Sequence, residues 1–150
     1  MAIRVTKEKK THQQYSDRYA SALERIESCA STLLDLVDAD AEAYRRVLAA
    51  YKLPKDSPER EKAIQEAIIG ATEIPARTAH CATEALKLLE DLKAVIHVNV
   101  ASDLGVGLQM LRSALSGAIL NMRTNVAGIK NAEIRSRYED MIARWEASRT

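Results

Sequence analysis

Apolar residues recur at steps of three and four from Tyr15 to Tyr51, passing through Tyr19, Ala22, Leu23, Ile26, Cys29, Ala30, Leu33, Leu34, Val37, Ala41, Tyr44, Val47 and Leu48. That spacing lines one side of an α-helix. Taken back to about Thr6, the segment makes one amphipathic helix on the order of 65 Å long, longer than a compact domain of this size is wide. Such a helix must bend, break or protrude.

Leu53-Pro54-Lys55-Asp56-Ser57-Pro58 ends it, because proline resists helix continuation and pushes its preceding residue away from helical angles. A second helix is expected to start with Ser57 as N-cap and Pro58 at the first helical position, with Glu59 and Glu61 favouring the dipole. Its apolar face runs through Ala63, Ile64, Ala67, Ile68 and Ala71 and resumes beyond Pro75 as Ala79, Ala82, Ala85, Leu86, Leu89 and Leu92. Gly70 to Pro75 therefore reads as a kink within one helix. Ala94 to Val100 reads as an extended loop leading to an N-cap at Ser102. The next helix carries Leu104, Leu108, Leu111, Leu115, Ile119 and Met122, and Gly128 closes it. Asn131 caps a final helix bearing Ile134, Tyr138, Met141, Ile142 and Trp145. Five Gly and three Pro cannot punctuate a many-stranded sheet. The expected fold is all-α, a single domain over residues 1–150 built as an antiparallel bundle of about four long helices, the second kinked near Pro75.

A formal net charge of +1 supplies no global field for nucleic acid or an anionic membrane. No uncharged run approaches a membrane span, so a soluble, cytoplasmic chain is expected. Cys29 and Cys81 form no CxxC pair and read as free thiols. His12, His80 and His97 share no ligand spacing with each other or with the cysteines, so no metal site is expected, and no GxSxG, HExxH or Gly-rich phosphate loop is present.

Three places carry residues that packing does not require. Asp40 projects onto the flank of the first helix's stripe; burial there would raise its pKa and suit it to proton transfer, whereas a helix-edge position would leave it a solvated charge. Tyr44, one turn on, reads as core or as a ligand contact. Lys52 and Lys55 flank the proline corner, as dipole-complementing caps or as an anion site, and Lys9 and Lys10 admit the same two readings. The third place is Asn99-Val100-Ala101-Ser102-Asp103 and the helix that it opens, which is rich in Gly105, Gly107, Ser113, Ala114, Ser116, Gly117 and Ala118. Glycine inside a helix costs roughly 1 kcal/mol relative to alanine. Close approach of another helix, in this chain or a second copy, or of a flat ligand would offset such costs. Asp103 and Asn121 share one meridian of this helix, with Asn125 one turn beyond.

The runs Asp38-Ala39-Asp40-Ala41-Glu42-Ala43-Tyr44, Ala50-Tyr51-Lys52-Leu53-Pro54-Lys55, Ala63-Ile64-Gln65-Glu66-Ala67 with Ile74-Pro75, Asn99-Val100-Ala101-Ser102-Asp103-Leu104, and Gly117-Ala118-Ile119-Leu120-Asn121-Met122-Arg123-Thr124-Asn125 together resemble the cyclodeaminase family. That family includes the cyclodeaminase part of formiminotransferase-cyclodeaminase and bacterial methenyltetrahydrofolate cyclohydrolases. The resemblance covers nearly the whole chain. It implies an all-helical homodimer or higher homo-oligomer acting on a one-carbon tetrahydrofolate. The reaction would be hydrolysis of the methenyl bridge or closure of the formimino group with loss of ammonia, with no cofactor bound for catalysis. By the same resemblance, Asp40 and Asp103 would move protons and balance amidinium charge. Asn99, Asn121 and Asn125 would hold the pterin or the bridge, Lys10, Lys52 and Lys55 the glutamate tail, and Tyr44 and Ser102 complete the substrate-binding set. The family's usual Gly-rich segment and following small-residue helix have no counterpart ahead of Thr6, and His97 stands where asparagine is common. A shortened relative that serves as a non-catalytic helical dimer, or as a folate-binding or assembly module, is the alternative.

Overall fold

A computed structural model describes residues 1–147. Among them are five α-helices and no strand: α1 (Ala2–Lys7), α2 (Ser16–Lys52), α3 (Arg60–Leu92), α4 (Ala101–Val126) and α5 (Ala132–Ala147). The expected all-α antiparallel architecture holds, with one short helix added at the start.

The long first helix breaks rather than bends. Lys9 is extended and Lys10–Tyr15 forms a 3-10 segment before α2 begins. The break lets the start of the chain fold back. Ala2 packs with Val100, Leu104 and Leu108, while Ile3 packs with Tyr19, Ala22 and Leu92. Thr6 is fully buried, and its Oγ1 accepts from the His97 backbone N–H at 3.1 Å. One continuous helix could not make these contacts while carrying Tyr15 and Tyr19 inward.

α3 lies between α2 and α4. Arg18 donates to the Asp91 carbonyl and Arg25 pairs with Glu84 at 3.4 Å, so α2 and α3 run antiparallel. Arg112 pairs with Glu90 across α3 and α4, which are antiparallel as well. The main core joins Ala76, Ala79 and Ala82 of α3 to Leu115, Ile119 and Met122 of α4 and to Tyr138 and Ile142 of α5. Alanines on α3 leave room for the larger residues of its neighbours. Tyr138 donates to Glu73 at 2.9 Å, and burial, reinforced by the Glu73 carboxylate, pushes its phenol up despite Arg137 over its ring.

Helix boundaries correct several expectations. α3 starts at Arg60, two residues later than Ser57 as N-cap implied, although Ser57 Oγ still accepts from the Glu59 N–H at 3.4 Å. The carbonyls at the end of α2 are satisfied by Arg60, which donates to Leu53 at 3.1 Å and Tyr51 at 3.3 Å. Ser102 does not cap α4. A 3-10 turn, Val98–Val100, precedes that helix, and His97 caps the turn by accepting the Asn99 N–H on Nδ1 at 3.2 Å. Gly128 does not close α4 with a left-handed turn, since no described residue has positive φ. It serves close approach instead: an added Cβ would lie 3.1 Å from Ile68 Cδ1, and its carbonyl accepts from Gln65. Asn131 caps α5 as expected, accepting the Ile134 N–H at 3.0 Å.

α3 runs unbroken through Pro75. Proline has no N–H to give to the carbonyl four residues back, which here belongs to Ala71. Asn125 Nδ2 of α4 donates to that carbonyl at 3.1 Å. Thr72 and Thr78 bond back to Ile68 and Ile74 on either side, as threonines do in bent helices. The repair comes from a neighbouring helix, so Pro75 is tolerated.

Candidate active-site groove between α2 and α4

The apolar arc of α2 is wide enough to offer two sides, and only part of it turns inward. Tyr19, Ala22, Leu36 and Ala50 are buried. Val37, Tyr44, Leu48 and Tyr51, expected in the core, are exposed, Tyr44 to 63%. The side of α2 turned toward α3 here carries small residues: Ala39, Ala43 and Ala50 face Ala63, Ala67 and Ala71 across an open cleft of about 610 Å³. The cleft is apolar except at its rim, where Glu42 pairs with Arg45 and Arg46 and Glu66 with Lys62. It has no uncommitted acid or base for chemistry.

Asp40 sits elsewhere. It lines a groove of about 320 Å³ whose walls are α2 (Leu33, Leu36, Val37, Asp40) and α4 (Ala114, Gly117, Ala118, Asn121), with Ile74, Pro75 and Thr78 of α3 as floor. The groove exists because Gly117, Ala114 and Ala118 keep the α4 wall low. An added Cβ at Gly117 would meet nothing within 4 Å. Both Asp40 and Asn121 are exposed, and neither is drawn into an ion pair or hydrogen bond among the described residues. Asp40 is thus an accessible carboxylate facing an amide across a small-residue trough, rather than a buried acid.

The other sequence-derived candidates fall into separate places. Asn125 is half-buried and spends its amide donor on the Ala71 carbonyl. Tyr44 lies one turn beyond Asp40 on the exposed side of α2. Lys52 and Lys55 are exposed at the far end of α2. Asp103 and Ser102 are exposed in the first turn of α4. Eighteen residues separate Asp103 from Asn121, roughly 27 Å along the axis, so within one chain Asp103 does not reach the Asp40 groove. Lys10 and Asn99 stand at that same distant end, where the His12 and His97 rings approach to 5.4 Å between centroids. The structure brings Asp40 and Asn121 together and keeps Lys10, Asn99, Ser102 and Asp103 apart from them.

Sequence reasoning missed Thr78 and the Pro75 floor of the groove, as well as Arg60 and the histidine contact. No local spacing marks any of them, since each acquires its neighbours from another helix. Gly105, Gly107 and Gly117 all face open space, so close packing within the chain does not account for them.

The arrangement is an all-helical domain with a shallow groove between antiparallel helices, holding one free carboxylate and one free amide, in the size range of a small-molecule site. The model of the formiminotransferase-cyclodeaminase family matches residues 1–144, and the chain belongs to that family. It is 32% identical over 133 residues to the methenyltetrahydrofolate cyclohydrolase of Methylorubrum extorquens, covering 86% of this chain and 64% of that protein. It is 31% identical over 143 residues to the formimidoyltransferase-cyclodeaminase of Gallus gallus, covering 91% of this chain and 26% of the relative. The chain therefore spans just under two thirds of the first and about a quarter of the second. The crystal structure of formiminotetrahydrofolate cyclodeaminase from Thermotoga maritima shares the fold, with a TM-score of 0.91, 22% identity, and coverage of 99% of this chain and 72% of that one. Among the described residues, no helix is long and apolar enough to cross a membrane.

Proposed function

We propose that this chain performs C–N bond chemistry on a one-carbon tetrahydrofolate, as a methenyltetrahydrofolate cyclohydrolase or a formiminotetrahydrofolate cyclodeaminase, in the cytoplasm. The observation that carries the reading is the shared groove of Asp40 and Asn121, flanked by Gly117 and floored by Pro75. Either reaction passes through a tetrahedral carbon between two folate nitrogens. In the hydrolytic case, water adds to the methenyl carbon, its proton goes to the Asp40 carboxylate, and one C–N bond breaks to leave a formyl group. In the cyclising case, the folate nitrogen outside the pterin ring adds to the formimino carbon carried by the ring nitrogen, its proton is passed to the departing amine, and ammonia leaves. A carboxylate serves both as proton carrier and as counter-charge to the amidinium. Asn121 orients the bridge, and the low wall at Ala114 and Ala118 admits the flat pterin. Neither reaction changes oxidation state, so neither calls for a redox cofactor.

The reading includes a homodimer. Val106, Met110, Ser113, Gly117, Leu120 and Thr124 follow one another at steps of four and three along α4, and Val106, Met110 and Leu120 are exposed. Antiparallel pairing of two α4 helices about Ser113 sets Met110 against the partner's Gly117 and Val106 against the partner's Leu120, a bulky residue into a hollow and two apolar residues together. The same pairing brings the partner's Asp103 within one turn of Asn121. It also supplies the close approach that the α4 glycines lack within one chain. Lys10, Lys52 and Lys55 then serve as exposed cations for the glutamate tail.

Fluorescence titration with a reduced folate, followed by an absorbance assay of methenyltetrahydrofolate hydrolysis and of formimino cyclisation, tests the reading. The expected result is saturable binding with turnover, and in Asp40→Asn a loss of turnover of at least about 100-fold with binding retained. Saturable binding without turnover would assign the chain to the binding-module alternative, and an unbound folate would remove both.

A further inference from the structure

The two cysteines stand 52 positions apart in sequence yet meet across one helix pair. Arg18 opposite Asp91 and Arg25 opposite Glu84 set the antiparallel register of α2 against α3. Four residues on from Arg25 is Cys29, and three back from Glu84 is Cys81, so the same register puts the thiols face to face. Cys81 is buried and Cys29 half-buried, which leaves one sulfur screened and the other within reach of solvent. Their proximity is felt electrostatically: burial pushes the Cys81 thiol up, and the neighbouring Cys29 thiol adds to the shift, against a smaller opposing pull from Arg77.

We propose that Cys29 and Cys81 are a dithiol–disulfide pair that ties α2 to α3 when the protein meets a low-molecular-weight disulfide such as oxidised glutathione. The reaction proceeds in two exchanges. The accessible Cys29 thiolate attacks a sulfur of the oxidant, forming a mixed disulfide and releasing one glutathione thiolate. Cys81 then attacks the Cys29 sulfur, displacing the second glutathione, and the two released thiolates take up the protons given up by the two cysteines. The protein loses two protons and two electrons, and the oxidant gains both. Intracellular disulfides of this kind are transient and redox-sensing. The consequence is local. Cys29 is one turn from Leu33 and Cys81 one turn from Thr78, both of which line the Asp40 groove. The crosslink fixes the spacing between the α2 wall and the α3 floor. The pair rests on helix register alone and stands or falls independently of the folate reading.

The test uses the full chain together with Cys29→Ser and Cys81→Ala, each incubated with oxidised glutathione, alkylated and read by intact mass and non-reducing peptide mapping. In the unmodified chain, the expected product is a single chain lighter by two hydrogens, with alkylatable thiols falling from two to none, a peptide joining Cys29 to Cys81, and full reversal by dithiothreitol. Cys81→Ala should instead accumulate a glutathione adduct at Cys29. The proposal is overturned if the unmodified chain ends as a stable glutathione adduct, as a disulfide between chains, or with both thiols still alkylatable. Should a variant fail to fold by circular dichroism, the unmodified chain alone decides the matter.

Discussion

The two halves of α2 share one apolar rhythm and meet different fates. In the first half, Tyr19 is fully buried, donates to the Val95 carbonyl and packs with Ile3 and Leu92. In the second half, Leu34, Val37, Tyr44, Leu48 and Tyr51 repeat the same steps of three and four and stand in solvent. Apolar periodicity therefore states that a side of a helix is suited to being covered, without naming what covers it. In the first half the cover is α1 and the end of α3. Beside the second half lies the groove that holds Asp40, with the exposed seam of α4 beyond it.

The sharpest way to break this contrast is to truncate one tyrosine in each half. Tyr19→Ala removes a fully buried ring and should cost about 3–5 kcal/mol in urea unfolding. If it costs no more than Tyr44→Ala, the sealed and open halves are not distinct. Next in size is Asn125→Ala, which leaves the Ala71 carbonyl without its donor and should cost about 1–3 kcal/mol. Replacing Pro75 by Ala restores an N–H within α3, so the Asn125 penalty should shrink in that background; an unchanged penalty in the double-mutant cycle would show that Asn125 does not serve the proline. Gly117→Ala meets open space and should raise the stability of the isolated chain by about 0.5–1 kcal/mol. The same change should weaken self-association in sedimentation if the α4 seam is the dimer face, since it fills the hollow offered to Met110. Smallest is Tyr44→Ala, expected to stay within about 0.5 kcal/mol in dilute monomer. A larger loss there would mean that the second half of α2 is covered in solution.

Much of the fold was legible because it is written over short stretches of chain. The proline corner after Lys52, the Asn131 cap and the apolar steps of α4 and α5 each depend on residues within a few positions of one another. The break at Lys9 was not legible, because its cause is the burial of Ala2, Ile3 and Thr6 against residues some ninety positions away. The site was legible in part. Asp40 and Asn121 stood out as polar groups beside small or apolar neighbours, and the structure places them in one groove. Asp103 stood out equally and lies roughly 27 Å up the same helix from Asn121, because a shared meridian fixes an angle around an axis and leaves height free. Asn125 looked like a ligand contact, and its donor serves a carbonyl that only the α3–α4 register could bring to it.

By itself, the amino-acid order determined that this chain is helical, where most helices start and stop, and which residues carry chemistry beyond packing needs. Those properties follow from backbone hydrogen bonding, proline geometry and the 3.6-residue repeat, all local in reach. Only the tertiary structure decided which side of α2 turns inward, which carboxylate meets which amide, and which polar side chain is consumed in repairing a helix. Such choices depend on competition between surfaces distant in sequence, which no local pattern in α2 resolves.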